Sequence, residues 1–272
     1  MGATLTAVHE SPSPLSRNVS SARPLTSAGM AAACATLGVT PAEIWAILSV
    51  ETRGFGFCPD RRPQVLFERH IFHRLTNGRY DVSHPATSNP VPGGYLFGVA
   101  EYARLESAMA LNRTAAMSST SWGLGQTMGR DFALAGFESV DAMVSAMTHE
   151  EDIQLRAVAT FLHNSGLQPA LILQDWPAFA RGLNGPHFEL NAYDKRLAAA
   201  HARSQVMRPD LGLRACQAAL LYLGFNPGPV DGVPGRITRA AVTAFQKVHR
   251  LPTSGEIDPT TENTLMNAAF PE

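Results

Sequence analysis

One carboxylate in this chain stands where an acid could be made to do chemistry. Glu51 ends the stretch Thr40-Pro41-Ala42-Glu43-Ile44-Trp45-Ala46-Ile47-Leu48-Ser49-Val50-Glu51. Ile44, Ile47 and Leu48 keep the i, i+3, i+4 spacing of a core-facing helical stripe, and Glu51 is the next position on it. Gly54 and Gly56 follow, which predicts the carboxyl in the last turn of a helix, where a packed face meets an opening. An acid there has three fates: paired with a cation, extended to water, or held partly dry with a raised pKa. The third would suit a general acid at neutral pH. Other chemistries find less support. Cys34, Cys58 and Cys216 are odd in number and lack C-x-x-C spacing, as expected of idle thiols in a reducing compartment. His70 and His73 have no H-E-x-x-H pattern or ordered ligand set around them, so neither metal nor cofactor is expected.

The elements that must position Glu51 are mostly helical. Thr40 and Glu43 read as a capping box with Pro41 at the first helical position. Before it, Leu25-Thr26-Ser27 reads as staple and cap for an Ala-rich helix closed by Gly38. Gln64 to Phe72 offers a strand or an extended entry to a short helix; if extended, Leu66, Glu68 and His70 share a face. Asn77 to Gly94 is proline-punctuated loop, and a loop of that length is functional or mobile. Helical patterns follow at 102–111, 141–148, 150–165, 177–183 and 193–201, with Ser121 to Gln126 as a glycine-punctuated entry to a helix. Residues 1–24, rich in Ser, Pro, Ala and Thr, are expected as a disordered tail. The body then divides into a domain over 25–203, a linker over 204–210 and a small unit over 211–272. The fold class is mainly α with a small β or loop element, plus a three-helix bundle; no internal repeat is apparent. With 272 residues, 45% hydrophobic, a substantial core can form. Charged residues are 17% and the net charge is −1, which argues against general nucleic-acid binding.

The C-terminal unit carries the most specific local pattern. It runs Asp231-Gly232-x-x-Gly235-x-x-Thr238-x-x-Ala241-Val242-x-x-Phe245-Gln246, then Leu251, Gly255 and Thr260-x-x-x-x-Leu265. Asp231 and Gly232 are expected to make a turn and Gly235 a left-handed corner, with Thr238 at a narrow groove. The alternative is a bare scaffold whose glycines serve only turns. The whole pattern resembles the three-helix peptidoglycan-binding domain common in cell-wall hydrolases. That resemblance implies a wall-binding role for Asp231, Gly232, Gly235, Thr238, Phe245 and Gln246. Basic and acidic side chains balance from residue 208 on, so recognition would rest on shape and hydrogen bonds.

The larger domain holds Val50-Glu51-Thr52-Arg53-Gly54, Val65 to Phe72, Ser121-Trp122-Gly123-Leu124-Gly125-Gln126-Thr127-Met128-Gly129, and Asn184-Gly185-Pro186 with Tyr193-Asp194-x-Arg196-Leu197. Together these resemble the N-acetylmuramidase domain of modular phage endolysins, a lysozyme-like family. The resemblance implies a glycosidase cutting between N-acetylmuramic acid and N-acetylglucosamine. It makes Glu51 the catalytic acid and places Gln126, Asn184 and Tyr193 as substrate-binding residues. Gly125 departs from related turns, which often carry a bulkier residue. Protonating a leaving oxygen needs a desolvated acid, and a second carboxylate activates water or steadies the oxocarbenium-like state. Glu68, inside the matched Phe67-Glu68-Arg69-His70 run, is the first candidate for that second role, against a structural ion pair with its neighbours. Asp60 and Asp81 are weaker candidates. Trp45, Trp122 and Trp176 are expected in the core.

Two other readings remain open on sequence. A lytic transglycosylase would cut the same bond without activated water, and a non-enzymatic wall-binding adaptor would use the C-terminal unit equally well. The expected partner is bacterial peptidoglycan. No nucleic acid and no stable membrane insertion are expected, since no stretch reaches the apolar length of a span. His9, Glu10, Pro12 and Pro14 stand where a signal peptide needs an apolar run. The endolysin resemblance then implies a monomer held in the host cytoplasm, released by a separate holin-like protein to act on the wall.

Overall fold

The computed structural model of the chain describes residues 21–52 and 54–271. Most of the expected tail lies outside them, but its described end is not loose. Ala22 is buried, and the Arg23 backbone exchanges hydrogen bonds with His149 and Glu151. The boundary expected after residue 24 therefore comes too late.

Helix α1 (Ser27–Leu37) starts on the Thr26 side chain and ends on Gly38 in the left-handed conformation. Helix α2 (Pro41–Glu51) opens with the capping box: the Thr40 amide donates to Glu43 Oε2 at 3.0 Å. Glu43 also accepts from His201 Nε2 and Gln174 Nε2, each at 2.8 Å, so one buried carboxylate fixes three segments. Next come β1 (Val65–Phe67), α3 (Arg69–Leu75), α4 (Glu101–Leu111), α5 (Arg113–Ser118), β2 (Thr120–Trp122) and β3 (Thr127–Met128). The domain continues through α6 (Val140–Met147), α7 (Glu151–Asn164), α8 (Gln168–Ile172), α9 (Trp176–Asn184) and α10 (Tyr193–Met207). A second unit holds α11 (Leu211–Tyr222), α12 (Arg236–Val248) and α13 (Pro259–Ala269). The mainly α architecture with one small sheet agrees with the sequence.

Of the two readings of Gln64 to Phe72, the extended entry to a short helix is the one found: the strand stops at Phe67 and Glu68 precedes α3, so Leu66, Glu68 and His70 do not share a strand face. Two other local expectations are corrected. Ser121 to Gln126 does not enter a helix. It is the β2 strand and the turn into β3, in an antiparallel sheet of order β1-β2-β3 with Val65 opposite Trp122 and Ser121 opposite Met128. The linker shortens as well, because α10 runs through Met207 and Asp210 already caps α11.

Two cores divide the large domain into lobes. One gathers Ile44, Trp45, Ile47 and Leu48 of α2 with residues of α1, α7, α9 and α10. The other packs Phe67, Phe72, Tyr102, Trp122 and Met143 around the sheet and helices α3 to α6. Helix α7 serves both, with Leu155 and Val158 in the first and Ala157 in the second. The three tryptophans are core residues as expected.

The C-terminal unit has its own core on Leu220, Val242, Phe245 and Leu265, but it is not a loosely tethered module. Phe55, Phe57, Ala22, Ala218 and Val230 form an apolar cluster across the boundary. Beneath it the Arg214 guanidinium pairs bidentately with Glu151 at 2.5 and 2.7 Å, both side chains fully buried.

Candidate active site

The end of α2 is built against both lobes. Thr52 Oγ1 donates to the Leu124 carbonyl at 2.7 Å, tying the helix end to the β2–β3 turn. Leu124 is buried in the helical core, and its amide donates to Gln154 Oε1 on α7 at 2.7 Å. The unusual glycine in this turn has a local reason: a Cβ at Gly125 would lie 2.2 Å from Val158 Cγ2. Gly125 lets the turn lie flat on α7, and with it the backbone that carries Gln126.

Glu51 is half-buried at this junction. Burial raises its pKa above the ordinary carboxylate value; a hydrogen bond from Tyr193 and the nearby Arg196 charge pull the other way without reversing it. The Tyr193 hydroxyl donates to Glu51 Oε1, and the Asn184 side chain acts on the same hydroxyl, favouring its ionised form. Burial and the Glu51 carboxylate both push the phenol's pKa up, so it stays a donor. Arg196 Nη2 donates to the Val50 carbonyl at 3.1 Å, which locks α10 to the end of α2. Among the described residues, Glu51 Oε2 takes no hydrogen bond. A carboxyl whose Oε1 is claimed by a phenol carries its proton on Oε2, the oxygen left for a reacting group.

Glu51, Tyr193 and Asn184, distant in sequence, thus form one relay. Gln126 stands on the turn clasped by Thr52, in a left-handed conformation with φ 50. Its Nε2 donates to Gly123 O at 2.9 Å, which leaves its Oε1 free among the described residues. Glu68 is held apart, at the other end of β1 from that turn. It accepts from the Tyr95 hydroxyl at 2.8 Å, and His70 Nδ1 lies 3.1 Å away but off the line of a good hydrogen bond. Burial lowers the His70 pKa despite Glu68, so the imidazole is neutral at neutral pH and Glu68 is no simple ion-pair member. Asp60 and Asp81 are engaged elsewhere, Asp60 with Arg62 and Asp81 with His73 and Ser88. No cluster of potential metal ligands occurs among the described residues.

In the C-terminal unit, the residues marked by the resemblance divide. Phe245 is fully buried in the core. Gln246 is also buried, its Oε1 accepting from the Gly255 amide and its Nε2 donating to Glu256 O. Neither offers a surface to a ligand. Gly232 supplies the left-handed corner at φ 73, whereas Gly235 is extended and begins α12. Sequence reasoning missed Gln217, which repeats the Gln246 device: its Oε1 accepts from the Gly232 amide at 2.8 Å and its Nε2 donates to Val233 O at 3.2 Å. A groove of about 520 Å³ remains, lined by Gly235, Arg236, Thr238, Arg239, Gly255 and Glu256 among others. Thr238 borders it but is itself buried, its Oγ1 donating to the Pro227 carbonyl at 2.8 Å, and Asp231 caps its own turn on the Val233 amide.

The N-acetylmuramidase family profile matches residues 40–205, more than half of the chain. The chain belongs to the N-acetylmuramidase family. A putative peptidoglycan-binding domain matches residues 211–265. Among solved structures, the muramidase is similar to the Burkholderia AP3 phage endolysin, at 38% identity and a TM-score of 0.61, over 68% of this chain and 72% of that one. No curated protein matches. The muramidase is therefore a glycoside hydrolase of lysozyme type with the modular order of an endolysin, and it degrades peptidoglycan. No single helix among the described residues is long and apolar enough to cross a membrane.

Tyr193→Phe separates the two influences on Glu51. Losing the phenol's hydrogen bond removes a force that favours the carboxylate, so the Glu51 pKa rises further. The alkaline limb of the pH–rate profile is expected to move to higher pH, with kcat down about tenfold from lost orientation. An unmoved limb, measured on soluble glycan fragments, would refute the relay.

Proposed function

We propose that the muramidase hydrolyses the bond between N-acetylmuramic acid and N-acetylglucosamine, with Glu51 as general acid. The observation that carries this reading is the burial of Glu51 with Oε1 engaged by Tyr193 and Oε2 without a hydrogen-bond partner among the described residues. The acid delivers its Oε2 proton to the glycosidic oxygen as the bond breaks, and water completes hydrolysis at the sugar carbon. Asn184 and Tyr193 hold the acid in place. Gln126 accepts a hydrogen bond from a substrate hydroxyl or acetamido group through Oε1. The C-terminal groove around Thr238 binds the wall. We assign the second carboxylate to Glu68, whose described partners are a phenol hydroxyl and a neutral imidazole, whereas Asp60 pairs with the Arg62 cation and Asp81 is taken by His73 and Ser88.

The experiment is digestion of purified peptidoglycan followed by mass spectrometry of the fragments. Reducing N-acetylmuramic acid ends are expected; anhydro ends would make the enzyme a lytic transglycosylase, and binding without fragments would make the chain an adaptor. Glu68→Gln is expected to lower kcat about a hundredfold, with Asp60→Asn and Asp81→Asn within about threefold of wild type. Activity above half of wild type in Glu68→Gln would remove Glu68 from the mechanism. The likeness to a phage endolysin supports the biological setting: a monomer held in the host cytoplasm until a holin-like protein opens the way to the wall.

A further inference from the structure

We propose that Phe97 is a stacking platform for a sugar ring of the glycan strand, on the segment whose Tyr95 also holds Glu68. This rests on the muramidase reading and adds a binding residue to it.

The segment 89–97 has no regular secondary structure, yet it is fixed at many points. Arg69 Nε donates to the Val91 carbonyl at 2.8 Å and Arg104 Nη2 to the Gly93 carbonyl at 3.1 Å. The Leu96 and Phe97 amides donate to Glu101 Oε2 at 2.8 and 3.2 Å, and Glu101 is fully buried. The other oxygen of that carboxylate accepts from the Phe67 amide at 3.1 Å, and Arg104 Nη1 donates to the Phe67 carbonyl at 3.0 Å. The same two side chains therefore hold both this loop and the strand end that leads into Glu68. Tyr95 closes the unit by donating its hydroxyl to Glu68 at 2.8 Å.

This scaffold holds up a residue that gains little from the fold. Phe97 is 65% exposed, its ring edging Tyr95 with centroids 5.8 Å apart. Its backbone sits at φ 58 and ψ 158, close to a region that essentially only glycine adopts, so the conformation is strained. A strained backbone under an exposed aromatic ring, pinned by a buried carboxylate, is a prearranged surface for something outside the chain. The occupant that fits is a pyranose ring. Its C–H face matches a single flat aromatic, and its hydroxyl edge matches the polar groups around it on Tyr95, Glu68 and Arg69. Val91 and Leu96 are exposed in the same segment, so a protein contact is the rival occupant that the test must separate from a sugar.

The test is calorimetric titration of the full chain carrying Glu51→Gln, which blocks turnover, with a soluble tetrasaccharide of alternating N-acetylglucosamine and N-acetylmuramic acid. Adding Phe97→Gly is expected to weaken binding about tenfold while leaving the melting temperature unchanged or raised, because glycine relieves the strain. Those opposite directions set a ligand-binding ring apart from a structural one. Equal affinity in both chains would overturn the platform alone. A lower melting temperature would overturn it by making Phe97 structural, and loss of a dimer on sedimentation would make this face a contact between copies. A parent that binds no tetrasaccharide, beside a wild type that releases no glycan fragments, would overturn the muramidase reading too.

Discussion

Glu51→Gln is expected to lower kcat on purified peptidoglycan on the order of a thousandfold, within the range a positioned general acid contributes. Gln keeps the shape of the carboxyl and keeps an acceptor for the Tyr193 hydroxyl. Ala would leave that hydroxyl without its partner at a cost of about 1–3 kcal/mol, so Gln is the cleaner test. Stability should move the opposite way to activity. The folded-state pKa of Glu51 is raised by burial, so as pH climbs past its unfolded value the native state holds a proton that the unfolded state has released. Wild-type stability therefore falls with rising pH across that window, and the cost is fully present above the folded pKa. Gln never ionises, so at neutral pH the variant is expected to be more stable by about 1 kcal/mol, or about 2–4 °C in Tm. At pH 3, below the ordinary carboxylate value, the two melting temperatures should converge. Undiminished release of reducing sugar ends would end the assignment, and lost activity with a lowered Tm would show that Glu51 is needed for folding instead.

What the sequence made legible was local. The capping box of α2, its apolar stripe and its glycine stop placed Glu51 where the fold puts it, because each is a relation between residues fewer than eight apart. The three helices of the C-terminal unit were legible for the same reason. The sheet was not, since strands of two and three residues are too short to show a period of two. Residue types at the site were readable through a family likeness, but the relay from Asn184 through Tyr193 to Glu51 exists only in the fold. Phe245 and Gln246 show the opposite failure. Their spacing on α12 is genuine, yet spacing cannot say which helical face meets solvent, and both are buried. The positive φ of Phe97 leaves no mark at all, because nothing local requires an aromatic there.

The boundary between the two units was the largest feature hidden from the sequence, and Arg214→Met is expected to expose it. Arg214 and Glu151 are far apart in the chain, and neither lies in a pattern that suggests the other. In the fold Arg214 Nε also donates to the Gly54 carbonyl at 3.0 Å, while Glu151 accepts from the Gly56 and Leu25 amides at 2.7 and 2.8 Å. One buried pair therefore joins α11, α7, the segment after Glu51 and the start of the domain. Removing the cation alone leaves a desolvated carboxylate and an unpaired carbonyl, a loss of about 3–5 kcal/mol. For a chain of this size that is roughly 6–20 °C in Tm. The double replacement Arg214→Met with Glu151→Met should recover part of the loss, because a buried pair offsets its own desolvation poorly even though removing one partner is costly. Calorimetry distinguishes this lock from an ordinary core contact. The wild type is expected to melt in one transition, since neither unit can unfold without stranding a charge of the other. Arg214→Met should split it in two. A single transition in the variant, or a loss under about 1 kcal/mol, would mean that the apolar cluster of Phe55, Phe57 and Val230 couples the units without the ion pair.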